Sequence, residues 1–120
     1  MVTHRYPIHS RCYAFSLAVV KLARTCSMDV VSRNLIAQLV RAVTSIAANL
    51  NEADAGISRK DFVNKVTIAL KEARETLYWL QLLTESGYIE SVTSKSLLQE
   101  GEEITKILAK IKINSRTSVS

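Results

Sequence analysis

The sequence predicts an all-α protein, an antiparallel up-down four-helix bundle, on three observations. Nearly half of the 120 residues are apolar, yet the chain holds only three Gly and one Pro. Folds built from short strands need many turn residues, so this composition favours a few long helices. Apolar residues also recur at helical spacing in four stretches separated by short polar breaks. The length suits one hydrophobic core. Residues 1–120 are therefore read as a single domain, with a flexible leader over about 1–9 and a frayed tail over about 114–120.

The first helix is expected from Ser10, whose hydroxyl can cap a free amide of the first turn, to Cys26. Its core stripe is Phe15, Ala18, Val19, Leu22 and Cys26. The second is expected from Ser32 to Ala55, ended by Gly56, with Ile36, Leu39, Val40, Val43, Ala47 and Leu50 inward. The third starts at Ser58, where Ser58-Arg-Lys-Asp61 approximates a capping box with Asp in place of Glu. Phe62, Val66, Ala69, Ala73, Leu77 and Leu80 line one face, and Gly87 marks its end. The fourth begins near Ser91 and carries Leu97, Ile104, Leu108 and Ile111 inward. Gly101 falls on that same face. A mid-helix Gly costs roughly 1 kcal/mol against Ala, so it marks close helix approach.

The formal charge of +5 is unevenly spread. Up to Asn51 there are six basic residues and one acid, Asp29; beyond it, ten basic residues balance ten acidic ones. A basic excess favours polyanions. Cys12 and Cys26, fourteen apart on one expected helix, stand about 21 Å from each other at the helical rise, too far for a disulfide. They are read as reduced thiols, with Cys26 in the core. The apolar run before Lys21 lacks a signal-peptide cleavage site, and no stretch is long enough to span a membrane. A cytoplasmic protein with no membrane partner is expected.

No constellation suggests an enzyme. His4 and His9 lack a third ligand, so no metal is expected. There is no Gly-rich phosphate loop, and hence no cofactor is assigned. Neither cysteine has a histidine at a helical offset to activate it. Glu72 and Glu75 stand among Lys71 and Arg74, which suits structural ion pairs better than a proton-sharing dyad. Tyr78 and Trp79 offer rings for base stacking, but packing at an oligomer contact is the preferred reading.

One segment, Arg41-Ala-Val-Thr-Ser45-Ile46-Ala-Ala-Asn49-Leu-Asn-Glu52-Ala53, resembles the signature of the 23S rRNA intervening-sequence protein family, also called the four-helix bundle protein family. Asp61-Phe62 and Ile68-Ala69-Leu-Lys-Glu72-Ala-Arg-Glu75-Thr-Leu-Tyr78-Trp79-Leu80 are similar to its third helix. The resemblance covers about Tyr13 to Ile111. Asn51 departs from it, standing where the family carries a small apolar residue. The resemblance implies a ring, a homopentamer, and kinship with the accessory variability determinant proteins of diversity-generating retroelements. Those bind nucleic acid and a reverse transcriptase, which are thereby implied as partners. It carries over no catalytic residue.

Three sets of residues are singled out. If helices two and three form a hairpin turning near Gly56, positions whose numbers add to about 113 lie side by side. Arg41 then faces Glu72, with Glu75 one turn on, as a structural ion pair; Asn49 faces Asn64 or Lys65. Tyr13, Leu17 and Val20 on helix one, and Ile68, Trp79 and Leu82 on helix three, lie away from the core stripes and are expected at subunit contacts. Finally, up-down topology puts both termini and the loop between helices two and three at one end. That pole gathers Arg5, Arg11, Arg59, Lys60, Lys110, Lys112 and Arg116 against Glu52, Asp54 and Asp61, and is the expected nucleic-acid-binding surface. The function expected is a non-enzymatic oligomeric module that binds RNA or DNA with weak sequence specificity. The alternative is a protein–protein assembly or adaptor module with no nucleic-acid binding.

Overall fold

A computed structural model of the chain describes residues 7–117. It contains four helices: α1 Pro7–Ala23, α2 Val30–Asp54, α3 Arg59–Glu85 and α4 Ser91–Thr117. Each packs on the next and α4 closes back on α1, so the helices stand at the corners of a square. Three short connections make every neighbouring pair antiparallel. The bundle is elongated, 51 × 28 × 23 Å. No helix among the described residues is long and apolar enough to cross a membrane.

The ends of the helices explain where the expected boundaries shift. The chain is already helical at Pro7, the first described residue, ahead of the expected cap at Ser10. It stops at Ala23, before Cys26. The chain there tightens into a turn in which Thr25 Oγ1 and Cys26 Sγ both donate to the Leu22 carbonyl. α2 starts two residues before Ser32, because Asp29 caps it. The Asp29 carboxylate accepts from the amides of Val31 and Ser32 at 2.9 and 2.8 Å, and the Asp29 amide donates back to Ser32 Oγ. This reciprocal pattern is a capping box with its usual residues exchanged. The Ser58 cap forms as expected, accepting from the Asp61 amide at 3.1 Å.

α3 stops at Glu85, and Gly87, just past its cap Ser86, has a φ of 92° in the left-handed region. The Tyr88 amide donates to the Leu83 carbonyl and the Gly87 amide to Thr84, which is the Schellman arrangement that a glycine permits. α4 is helical through Thr117, the last described residue. Arg59 Nη1 donates to the Ser115 carbonyl at 3.2 Å, satisfying one of the last-turn acceptors.

The core is apolar along its length, with Val19, Leu39, Ile46, Leu80, Leu83, Ile104 and Leu108 fully buried. The inward face of α1 is rotated from the expected stripe. His9, Cys12, Phe15, Ser16, Val19 and Ala23 are buried, while Ala18 is exposed. Apolar periodicity misses this face because two of its members are polar and bonded: Ser16 Oγ donates to the Val43 carbonyl at 2.9 Å, and His9 pairs with Asp54. Cys12 is the core thiol and Cys26 only half-buried, the reverse of the expected role for Cys26. Burial pushes the Cys12 thiol up to about 12, so it stays protonated. Gly101 behaves as predicted. A Cβ there would stand 2.6 Å from Leu77 Cδ2 and 3.1 Å from Phe15 Cζ, so the bare backbone is what lets α4 approach α1 and α3. Asn51 is exposed, and its departure from the family pattern disturbs no packing.

Candidate functional site

The basic residues of the expected pole separate into three groups. Arg59 and Lys60 open the first turn of α3, and Arg116 lies in the last turn of α4. The antiparallel pairing of α3 with α4 brings them around one shallow groove of about 370 Å³, floored by Val63 and Asn64. Lys110 is exposed and Lys112 half-buried on the last two turns of α4. Arg5 lies outside the described residues. Arg11 is not brought into the group. Its Nε and Nη2 donate to both oxygens of Glu100 at 2.7 and 2.8 Å, and Nη2 also reaches Glu103 at 2.7 Å. Glu100 stands sixteen residues before Arg116, about 24 Å of helix. These bonds, Glu100 first, raise the Arg11 pKa and hold the Glu100 carboxyl below its ordinary value. The charge of Arg11 is thus committed to joining α1 to α4.

The acids of the pole are also engaged. Glu52 pairs with Lys65 Nζ at 2.9 Å, and Asp54 Oδ2 lies 2.8 Å from His9 Nε2. Asn49 does not reach across to α3; its Nδ2 donates to the Ser45 carbonyl of its own helix. Asp61, half-buried, is in the first turn of α3. An acid there interacts favourably with the positive end of the helix dipole. Arg59, Lys60, Lys110, Lys112 and Arg116 lie together at one end of the bundle, with Arg59 also donating to the Ser115 carbonyl.

On the flank between α2 and α3, Arg41 Nη1 donates to Glu72 at 3.0 and 3.3 Å, and Nη2 donates to Glu75. Gln38 accepts from Arg41 Nε at 3.1 Å, and Trp79 Nε1 donates to Glu75 at 3.2 Å. The Trp79 bond first, then Arg41, holds the Glu75 carboxyl below the usual range. The Glu72 side chain is 11% exposed and that of Arg41 47%. Both carboxylates thus accept hydrogen bonds from the one guanidinium. Among the described residues no group of three His, Cys, Asp or Glu side chains is placed to hold a metal ion. His4 lies outside the described residues.

The expected contact residues divide by exposure. Tyr13, Leu17 and Ile68 are exposed; Val20, Trp79 and Leu82 are half-buried, and Val20 and Trp79 also pack against the core. Tyr78 is more exposed than Trp79 and meets it edge-on, ring centroids 4.9 Å apart. α1 and α3 occupy opposite corners of the square, so their outward faces look in different directions. Sequence reasoning missed the Arg11–Glu100–Glu103 cluster and the His9–Asp54 pair. The first joins α1 to α4, which only the closed bundle brings near; the second joins α1 to the far end of α2, the next helix in the chain. The available signal was the antiparallel relation of α1 to both of these helices.

The chain is similar to proteins that share this architecture. A crystal structure of a protein with unknown function from the S23 ribosomal protein family, from Bacteroides thetaiotaomicron VPI-5482, superposes with a TM-score of 0.80. The two are 37% identical over 88% of this chain and 97% of that one. No curated protein matches the sequence. The family model described as 23S rRNA-intervening sequence protein matches residues 5–110. With the four helices, the Arg41 signature segment and that match in agreement, the chain belongs to the 23S rRNA-intervening sequence protein family.

Proposed function

We propose that this protein is a non-enzymatic, oligomeric module that binds nucleic acid through one pole of its bundle with weak sequence specificity. The observation that supports it is the convergence of Arg59, Lys60 and Arg116 on one groove, with Lys110 and Lys112 on the adjoining turns of α4. Lysine and arginine around a shallow, open groove suit backbone phosphates, whose neutralisation releases counterions. Contacts from lysine and arginine to phosphates position a strand without carrying sequence information. In a ring with aligned subunits this surface repeats around one rim.

The test replaces Arg59, Lys60, Lys110 and Lys112 with Gln and titrates labelled RNA and DNA at several salt concentrations. The variant is expected to bind more weakly and to lose up to about 0.9 in the slope of log affinity on log salt for each duplex phosphate contact removed. Unchanged affinity and slope, with the assembly intact, would overturn the reading.

A second reading, a protein assembly or adaptor module without nucleic acid, is favoured by the exposed Tyr13 and Leu17 on α1 and Ile68 and Tyr78 on α3. Two apolar faces looking in different directions suit a contact in which one surface of a subunit meets a different surface of the next. Such contacts close rings, in keeping with a homopentamer. A concentration-independent monomer mass in light scattering argues against the assembly.

A further inference from the structure

The end of the bundle where α1 and α3 begin and α2 and α4 finish holds a partly enclosed cavity of about 310 Å³. Its walls are Ile8 of α1, Leu50 of α2, Phe62 and Val66 of α3, and Ile111 of α4. His9 and Asp54 also line it, Nε2 to Oδ2 at 2.8 Å. His9 is 6% exposed and the Asp54 side chain 20%, so the imidazole is buried among apolar side chains while the carboxylate stands at the cavity's mouth. An apolar cavity of about 150 Å³ holds benzene, and small-molecule pockets begin at about 300 Å³. This cavity is therefore large enough for a substituted single ring or a short branched chain.

We infer that it is a binding site for a small, uncharged, mostly apolar molecule carrying one hydroxyl. The hydroxyl donates to Asp54, and the body packs against Phe62, Val66 and Ile111. The chemistry of the pair selects this class. A carboxylate offers about four acceptor positions, and the contact with His9 takes up at most one. A ligand carboxylate or phosphate would meet Asp54 with like charge in an apolar enclosure. An ammonium would compete with the imidazole for the same oxygens. A pure hydrocarbon would press apolar surface on the carboxylate without a compensating bond. A hydroxyl satisfies the acceptor whatever charge the histidine carries.

The probes are 4-propylphenol and propylbenzene, which differ only in the hydroxyl, titrated into the full chain with methyl NMR signals as readout. 4-Propylphenol is expected to shift the methyl signals of Ile8, Leu50, Val66 and Ile111 and to bind at least about tenfold tighter than propylbenzene, the ratio expected for a hydrogen bond to a charged acceptor. Asp54→Asn is expected to shrink that preference, in part by raising propylbenzene affinity, and an unchanged preference overturns the role of Asp54. Absence of shifts at those methyls, or equal affinity for the two probes, overturns the site. If Asp54→Asn does not fold, the comparison of the two probes on the unaltered chain still decides. Neither measurement depends on nucleic-acid binding.

Discussion

Two clusters in this bundle share one chemical design but differ in surroundings. In each, an arginine from one helix grips two glutamates three residues apart on the neighbouring helix: Arg41 with Glu72 and Glu75, Arg11 with Glu100 and Glu103. The first joins the middle helices through a short loop. The second joins the first helix to the last. Glu72 is nearly enclosed, at 11% side-chain exposure, whereas Glu100 and Glu103 are 32% and 51% exposed. The difference teaches that a similar set of hydrogen bonds does not carry the same energy. Removing the arginine from the first cluster leaves a carboxylate that water reaches poorly, and removing it from the second leaves carboxylates that water can hydrate.

The largest effect is expected from the residue that seats α4 beside the second cluster. Gly101→Leu places a branched side chain where even a Cβ meets Leu77 and Phe15. It should cost about 3 kcal/mol by overpacking, measured by chemical denaturation, and should release Arg11 from Glu100. A stable variant would mean that α4 can shift without loss, and that the second cluster does not depend on close approach.

A smaller effect compares the two arginines directly. Arg41→Met should cost about 2 kcal/mol. That is below the range for fully buried pairs, because the arginine itself is half in water. Arg11→Met should cost at most about 1 kcal/mol. Adding Glu72→Leu to Arg41→Met should recover at least half of the loss, since it removes the stranded charge. Equal losses from the two single variants would break the argument from burial.

The smallest effect is in acid. Glu75 and Glu100 sit below their ordinary value of 4.5 in the folded chain, held by Trp79 with Arg41 and by Arg11 respectively. Asp29 sits below 3.8, held by the Ser32 amide and the Tyr88 hydroxyl. The unfolded chain takes up these protons first as pH falls. The stability they contribute is therefore complete above about pH 5 and declines below about pH 4.5. Denaturation midpoints followed from pH 6 to pH 3 should show this decline. The part owed to Glu100 should disappear in Arg11→Met and the part owed to Glu75 should diminish in Arg41→Met, where Trp79 still donates.

Much of the fold is written in local chemistry. Ser58 caps α3 and Gly87 ends it because a hydroxyl and a missing Cβ act on their immediate neighbours. Gly101 marks close approach because nothing local would place a glycine in mid-helix. Asp29 escaped notice because the capping pair stands in exchanged order, acid first and serine three residues on. The basic groove was partly legible. Arg59 and Arg116 lie at helix ends that a short-loop topology must bring together. Arg11 misled, since its distance along α1 from the pole is set by where α1 starts, and its partners lie eighty-nine and ninety-two residues away.

The sequence by itself determined four helices, their antiparallel order and the Arg41–Glu72 pairing, because each depends on a repeat along one helix or on a hairpin counted from a short turn. Only the tertiary structure decided which side of α1 faces inward, where Arg11 spends its charge and that His9 meets Asp54 beside a cavity. Those outcomes depend on how the first helix rotates and slides against both the second and the last. That rotation is set by the combined packing of all four helices, which no window of the chain contains.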